Sequence, residues 1–105
     1  MMKDETVESC EWQAFWAIID LPMFRGVKYE SIMSYVDRQH ATIDWSSIAR
    51  MMSPWSHGEQ VLLRVACALF NATDNVPLHE LGVLDDTLGP TVLGIIHRRY
   101  WPARP

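Results

Sequence analysis

The sequence has no long hydrophobic run. No uninterrupted apolar stretch is longer than that from Val65 to Phe70, which is far shorter than the roughly 20 residues that a transmembrane helix needs. No apolar segment follows a basic stretch near the first residue, as it does in a secretory signal. The sequence therefore predicts a soluble, cytoplasmic protein that does not span a membrane.

Cysteine is scarce, with only Cys10 and Cys67 present. Two thiols are too few for a disulfide scaffold. They fall on the faces of two different predicted helices, and buried small hydrophobic side chains are their simplest interpretation. A disulfide between them requires those two helices to cross at that point.

Sequence motifs for catalysis are absent. The phosphate-binding loops G-x-x-x-x-G-K and G-x-G-x-x-G and the hydrolase elbow G-x-S-x-G do not occur. The four histidines are widely separated, and none forms a zinc-like pair with a second ligand. The sequence therefore predicts a protein that is not an enzyme and binds no metal or cofactor.

Basic residues are outnumbered, with nine Lys and Arg against thirteen Asp and Glu and a formal net charge of −4. This balance counts against a general binder of nucleic-acid backbones. The hydrophobic share of 49% and the charged share of 21% are typical of a globular protein. We expect residues 1–105 to form one helical domain, with frayed ends at 1–5 and 102–105.

Strand signals are also missing, because no segment alternates polar and apolar residues and no Asn-Gly or Asp-Gly turn occurs. The prediction is an all-α, compact bundle of five or six helices around a central apolar helix at about 57–71. A capping box of Ser56 and Glu59 marks the start of that helix, and Asp85 or Asp86 caps the last one. The predicted helices run from Thr6 to Leu21, from Val27 to Gln39, from Thr42 or Asp44 to Met52, from His57 to about Asn71, over one or two turns from Val76 to Leu81, and from Pro90 to about Trp101.

Two residues near the end of the chain carry specific expectations. Gly94 costs about 1 kcal/mol of helix stability relative to Ala, so we expect it to mark a close crossing with a neighbouring helix. Trp101, like Trp45 and Trp55, stands at a helix end, where an indole can pack inward and leave its N–H near water.

Aromatic residues are abundant, with five Trp, three Tyr and three Phe. Trp12 and Trp16 stand one turn apart on the first helix, on a stripe separate from its other apolar face. Trp dominates the hot spots of protein interfaces, so the stripe predicts a protein-binding surface; burial in the core is the competing interpretation. The predicted contact residues, including an acidic rim, are Trp12, Trp16, Ile19, Glu5, Glu8 and Glu11.

These features together favour a small acidic protein-binding module. Its partner is another protein, and a homodimer is one form of such binding. Small size, acidity, surplus aromatics and missing catalytic motifs suggest an adaptor or inhibitor carried by a phage or mobile element, for example against a host defence complex such as CRISPR-Cas.

The alternative hypothesis is a nucleic-acid-binding or regulatory protein with a helix-turn-helix. The spacing of that motif is reproduced by the segment Ile48-Ala49-Arg50-Met51-Met52, followed by a break at Ser53-Pro54 and then by Val61. Glu59 and the net acidic charge count against it. The residues that would face the bases are Ser56, His57, Gln60 and Arg64.

Overall fold

The computed structural model describes residues 9–71 and 76–102. These residues form five α-helices, two short 3-10 helices and one two-stranded hairpin. The predicted all-α fold is confirmed. In chain order, the elements are α1 (Cys10–Ile19), a first 3-10 helix (Pro22–Phe24), α2 (Val27–Met33), β1 (Val36–Asp37), β2 (Thr42–Ile43), α3 (Trp45–Met51), α4 (His57–Asn71), a second 3-10 helix (Leu78–Val83) and α5 (Leu88–Tyr100).

Helix α1 begins later than predicted. Ser9 has extended backbone angles, and its side chain accepts a hydrogen bond from the Trp12 N–H. This is the geometry of an N-cap, so the helix starts at Cys10 and the predicted start at Thr6 is wrong. The helix ends at Ile19, close to the predicted end, because the chain turns before Pro22.

Helix α2 ends at Met33, so the predicted continuation to Gln39 is wrong. The Asp37 carboxylate accepts the N–H of His40 at 3.1 Å, a side-chain bond that stabilises a turn in place of a helix. Val36 still contributes a partly buried apolar side chain, but from β1. The antiparallel partners in the hairpin are Val36 with Ile43 and Asp37 with Thr42.

The later helices begin at the capping residues that were predicted from the sequence. Asp44 caps α3. Ser56 and Glu59 form the reciprocal bonds of a capping box at the start of α4. The Asp85 carboxylate accepts the N–H of Leu88, the first residue of α5.

The core lies where α1 packs against both α4 and α5. Coverage from two sides explains why α1 is apolar around most of its circumference. Helix α4 supplies the largest share of the buried apolar side chains, as expected of a central helix, and these are Val61, Leu62, Leu63, Val65, Ala66, Cys67 and Leu69.

Two local expectations are resolved by the packing. A Cβ atom added at Gly94 would meet one described atom outside its local backbone, Nη1 of Arg98 on the same helix, at 3.6 Å. The predicted close crossing at Gly94 is therefore wrong. Cys10 is half-buried and Cys67 is buried, and no disulfide joins them.

Across residues 9–71 and 76–102, the helices are too short or too polar to cross a membrane.

Candidate interaction surfaces

The predicted stripe on α1 belongs to a group of five packed rings. Trp12 and Trp16 stack with their ring centroids 5.6 Å apart, and Trp12 meets the edge of Phe70 at 4.7 Å. Offset stacked and edge-to-face pairs of this kind stabilise a core beyond the area they bury. We name this group the aromatic cluster, and its members are Trp12, Phe15, Trp16, Trp45 and Phe70.

Little of the α1 stripe is left for a partner. Ile19 is 0% exposed, because it stands one turn after the fully buried Phe15 on the same face. It belongs to the core rather than to an exposed surface, contrary to expectation. Trp12 and Trp16 are half-buried, and the guanidinium of Arg38 lies over the Trp16 ring at 4.7 Å.

Of the three glutamates predicted to form an acidic rim beside the stripe, Glu11 lies within the described residues. Glu11 lies 3.7 Å from the guanidinium of Arg99, while Glu5 and Glu8 fall outside the described residues. The Nε of Arg99 also donates to the carbonyl oxygen of Leu69 at 2.8 Å. Arg99 therefore joins α5 to both α1 and α4.

Two of the predicted base-contacting residues make hydrogen bonds within the chain. The side-chain amide of Gln60 donates to the carbonyl oxygen of Trp55 at 2.9 Å. The guanidinium of Arg64 donates to the carboxylate of Glu80 at 2.8 Å. Reading base edges would require both side chains to give up these bonds, which count against the helix-turn-helix hypothesis.

The other two residues of that hypothesis stand at the start of α4. Ser56 donates its backbone N–H and its hydroxyl to the buried Glu59 carboxylate, whereas His57 is exposed. Lys28 forms an ion pair with the same carboxylate. Burial raises the pKa of Glu59, but hydrogen bonds from Lys28 and Ser56 outweigh burial, and the pKa is lowered. This group of charges stabilises the fold by joining α2 to α4.

The most exposed aromatic surface lies on α5. Leu93 is 58% exposed, Tyr100 51% and Trp101 66%. Val92 and Ile95 point the other way and are buried, so α5 has one apolar face in the core and a second in solvent. We name this second face the α5 outer face, and its residues are Leu93, Ile96, His97, Tyr100 and Trp101.

This surface was not predicted from the sequence. Trp101 does not pack inward as expected, because its ring lies beside the exposed His97 and Tyr100, with centroid distances of 5.8 and 6.2 Å. The spacing of Leu93, Ile96 and Tyr100 at i, i+3 and i+7 is the signal that could have found it.

Trp45 also departs from its expected placement. Its indole Nε1 is buried and has no hydrogen-bond acceptor among the described residues. The ring packs inside the aromatic cluster. Its N–H is therefore buried, whereas the sequence predicts an N–H near water.

Charge is unevenly distributed along α5. The exposed Asp85 and Asp86 precede the helix, whereas Arg98 and Arg99 stand in its last turn, and the helix itself contains no acid. Acids before the start of a helix and bases in its last turn both interact favourably with the helix macrodipole. Arg99 bonds to α4 and Arg98 lines the recess beside Cys10 on α1, so neither arginine belongs to the α5 outer face.

Surface recesses offer little for a small ligand. Of three recesses lined by described residues, the largest holds about 400 Å³, lies open to solvent and is lined by Asp20, Arg25 and Tyr29 among others. Two others, of about 50 Å³ each, lie beside Cys10 and beside Cys67. The described lining residues of these three recesses do not pair a serine, threonine or cysteine with a histidine or carboxylate. No metal-binding group of three or more His, Cys, Asp or Glu residues occurs within the described ranges.

Comparisons with protein-family models, with curated proteins and with solved structures found no match. The fold and its surface together define a small all-α domain with an exposed apolar helix face.

Proposed function

We propose that the chain is a protein-binding module and that the α5 outer face is its contact surface. The observation that carries this proposal is the exposure of three large side chains on one helix face, Leu93, Tyr100 and Trp101. Apolar area removed from water contributes roughly 25 cal/mol per Å², so a partner that covers these side chains gains stability. Contiguous apolar patches on otherwise polar surfaces mark interaction sites, and Tyr and Trp are the usual hot-spot residues.

An adaptor or inhibitor, as phages and mobile elements encode, is the narrower proposal within this class. Binding through a helix face requires no catalytic group and no cofactor, which agrees with the lack of catalytic motifs in the sequence. A host defence complex such as CRISPR-Cas is one partner of this class.

Photo-crosslinking tests the proposed surface. A photoreactive amino acid at position 93 should give a light-dependent covalent adduct with a protein, in the purified sample or in the cells of origin. Position 27 is the matched control, because Val27 is 81% exposed and apolar but belongs to α2 rather than to α5. Absence of an adduct at position 93, or equal adducts at 93 and 27, would show that the α5 outer face is not a binding surface.

A further inference from the structure

The α5 outer face has a histidine at its centre, His97. Leu93 precedes it by four residues and Trp101 follows it by four, so both stand one helical turn away on the same side of α5. The His97 ring is exposed, and its centroid lies 5.8 Å from that of the Trp101 ring. A partner that covers both Leu93 and Trp101 therefore also covers the imidazole between them.

We propose that pH controls binding at the α5 outer face through His97, with tight binding when the imidazole is neutral and weak binding when it is protonated. This inference rests on the proposed function, since it gives the regulation of the same surface. Histidine is the side chain whose charge ordinarily changes between pH 5 and 8. A covering apolar surface removes water from the imidazole, and the loss of water disfavours the charged form.

In the unbound chain, the site suits a charged imidazole. His97 is exposed to water and stands in the last turn of α5, where the helix macrodipole favours a cation. The Trp101 ring beside it adds a weak attraction, since aromatic faces attract cations. Protonation is therefore tolerated in the unbound chain, and its cost arises when a partner excludes water.

The charged groups on the elements around His97 leave the α5 outer face without an acid. Arg98 and Arg99 follow His97 directly and carry positive charge. Glu11 of α1 lies 3.7 Å from Arg99, and the last turn of α4 has no charged residue. The two aspartates before α5 stand about three helical turns from His97. Because α5 itself contains no acid, it offers no carboxylate to pair with a buried imidazolium.

We expect the partner surface that meets His97 to be apolar. Leu93, Tyr100 and Trp101 surround it with large apolar and aromatic area, which an apolar counterpart covers best. The centre of a protein interface is depleted of charged residues. A cation buried there without a partner costs free energy, so binding releases the imidazole proton. The affinity therefore rises with pH through the range in which histidine titrates.

Photo-crosslinking at two pH values tests this control. The purified chain, with a photoreactive amino acid at position 93, is titrated into clarified lysate of the cells of origin at pH 7.5 and at pH 5.5. We expect the concentration for half-maximal crosslinking to be about 10-fold higher at pH 5.5, which is the effect of excluding the charged form of an ordinary histidine. His97→Gln should reduce this difference to less than about 2-fold, because glutamine does not titrate.

His57→Gln is the matched control, which should keep the full difference between the two pH values. His57 is exposed, and it stands on α4 about 18 Å along the helix from Leu69, the residue that Arg99 of α5 contacts. Circular dichroism at both pH values checks the fold. We expect the fold to persist at pH 5.5, since the pKa of the buried Glu59 is lowered.

The pH control and the proposed function can fail separately. Equal half-maximal concentrations at the two pH values, or tighter binding at pH 5.5, would overturn the control by His97 and leave the proposed function in place. A pH difference that persists in His97→Gln would overturn it as well. Absence of an adduct at position 93 at both pH values would contradict the proposed function itself, and the pH control with it.

Discussion

Trp16 and Trp101 show how one type of side chain takes opposite positions in the same fold. Trp16 stacks on Trp12 beneath the Arg38 guanidinium, whereas Trp101 is 66% exposed. Each tryptophan follows or belongs to a helix with two apolar faces, so helical periodicity alone does not separate the two cases. Which face is covered depends on the packing of α1 against α4 and α5, a contact between distant parts of the chain.

Glu59 shows what short-range sequence signals leave out. The capping box with Ser56 was predictable, because its two residues are three positions apart. The ion pair with Lys28 was not, because it joins residues separated by 31 positions. Long-range partners of this kind require the fold to be known first.

Replacing Glu59 with Gln should lower the free energy of unfolding by roughly 1–3 kcal/mol at pH 7, because it removes a buried, hydrogen-bonded charge. Since folding lowers the pKa of Glu59, the carboxylate stabilises the fold above its unfolded pKa of about 4.3. That contribution is lost as the pH falls through the lower, folded pKa. Urea unfolding at a series of pH values should show the difference between wild type and variant shrinking with acidification.

Glu30→Gln is the matched control for this comparison, since Glu30 is exposed on α2. We expect it to change stability by less than about 0.5 kcal/mol. Equal effects of the two substitutions, or a Glu59 effect that does not depend on pH, would contradict the stabilising role of the Glu59 carboxylate.

At the scale of whole elements, helices with strong end signals were predicted best. The N-caps of α3 and α4 and the long apolar body of α4 come directly from short-range chemistry. Helix α2 was predicted too long, because the apolar spacing of Tyr29, Ile32, Met33 and Val36 continues past its true end. A two-residue hairpin strand carries too short a pattern to compete with that signal.

Glycine in a helix gives the clearest prediction for an element. Gly94→Ala should raise the free energy of unfolding by about 0.5–1 kcal/mol, because Ala is the better helix former and the site has room for a methyl group. Thermal unfolding of the two proteins checks this directly.

Gly26 is the opposite case and serves as the comparison. Its φ is +88°, a conformation that an L-residue adopts at a cost. Gly26→Ala should therefore destabilise the protein, although the space around the site is open. A loss of stability in Gly94→Ala would show that α5 is packed more tightly there than the structure indicates.

At the scale of the whole molecule, packing separates the aromatic side chains into two roles. The aromatic cluster, built on α1, joins α3 to α4 through Trp45 and Phe70. The α5 outer face points away from that core and keeps its large side chains in water. An abundance of aromatics was visible in the composition, but its location on the surface was not, since it depends on how α5 docks.

The central claim is that the α5 outer face, and not the α1 stripe, is where the chain meets another protein molecule. The most direct test compares photo-crosslinking from position 93 with photo-crosslinking from position 16 in the cells of origin. We expect a light-dependent adduct with another protein molecule at position 93 and none at position 16. No adduct at position 93, or a stronger adduct at position 16, would contradict the account.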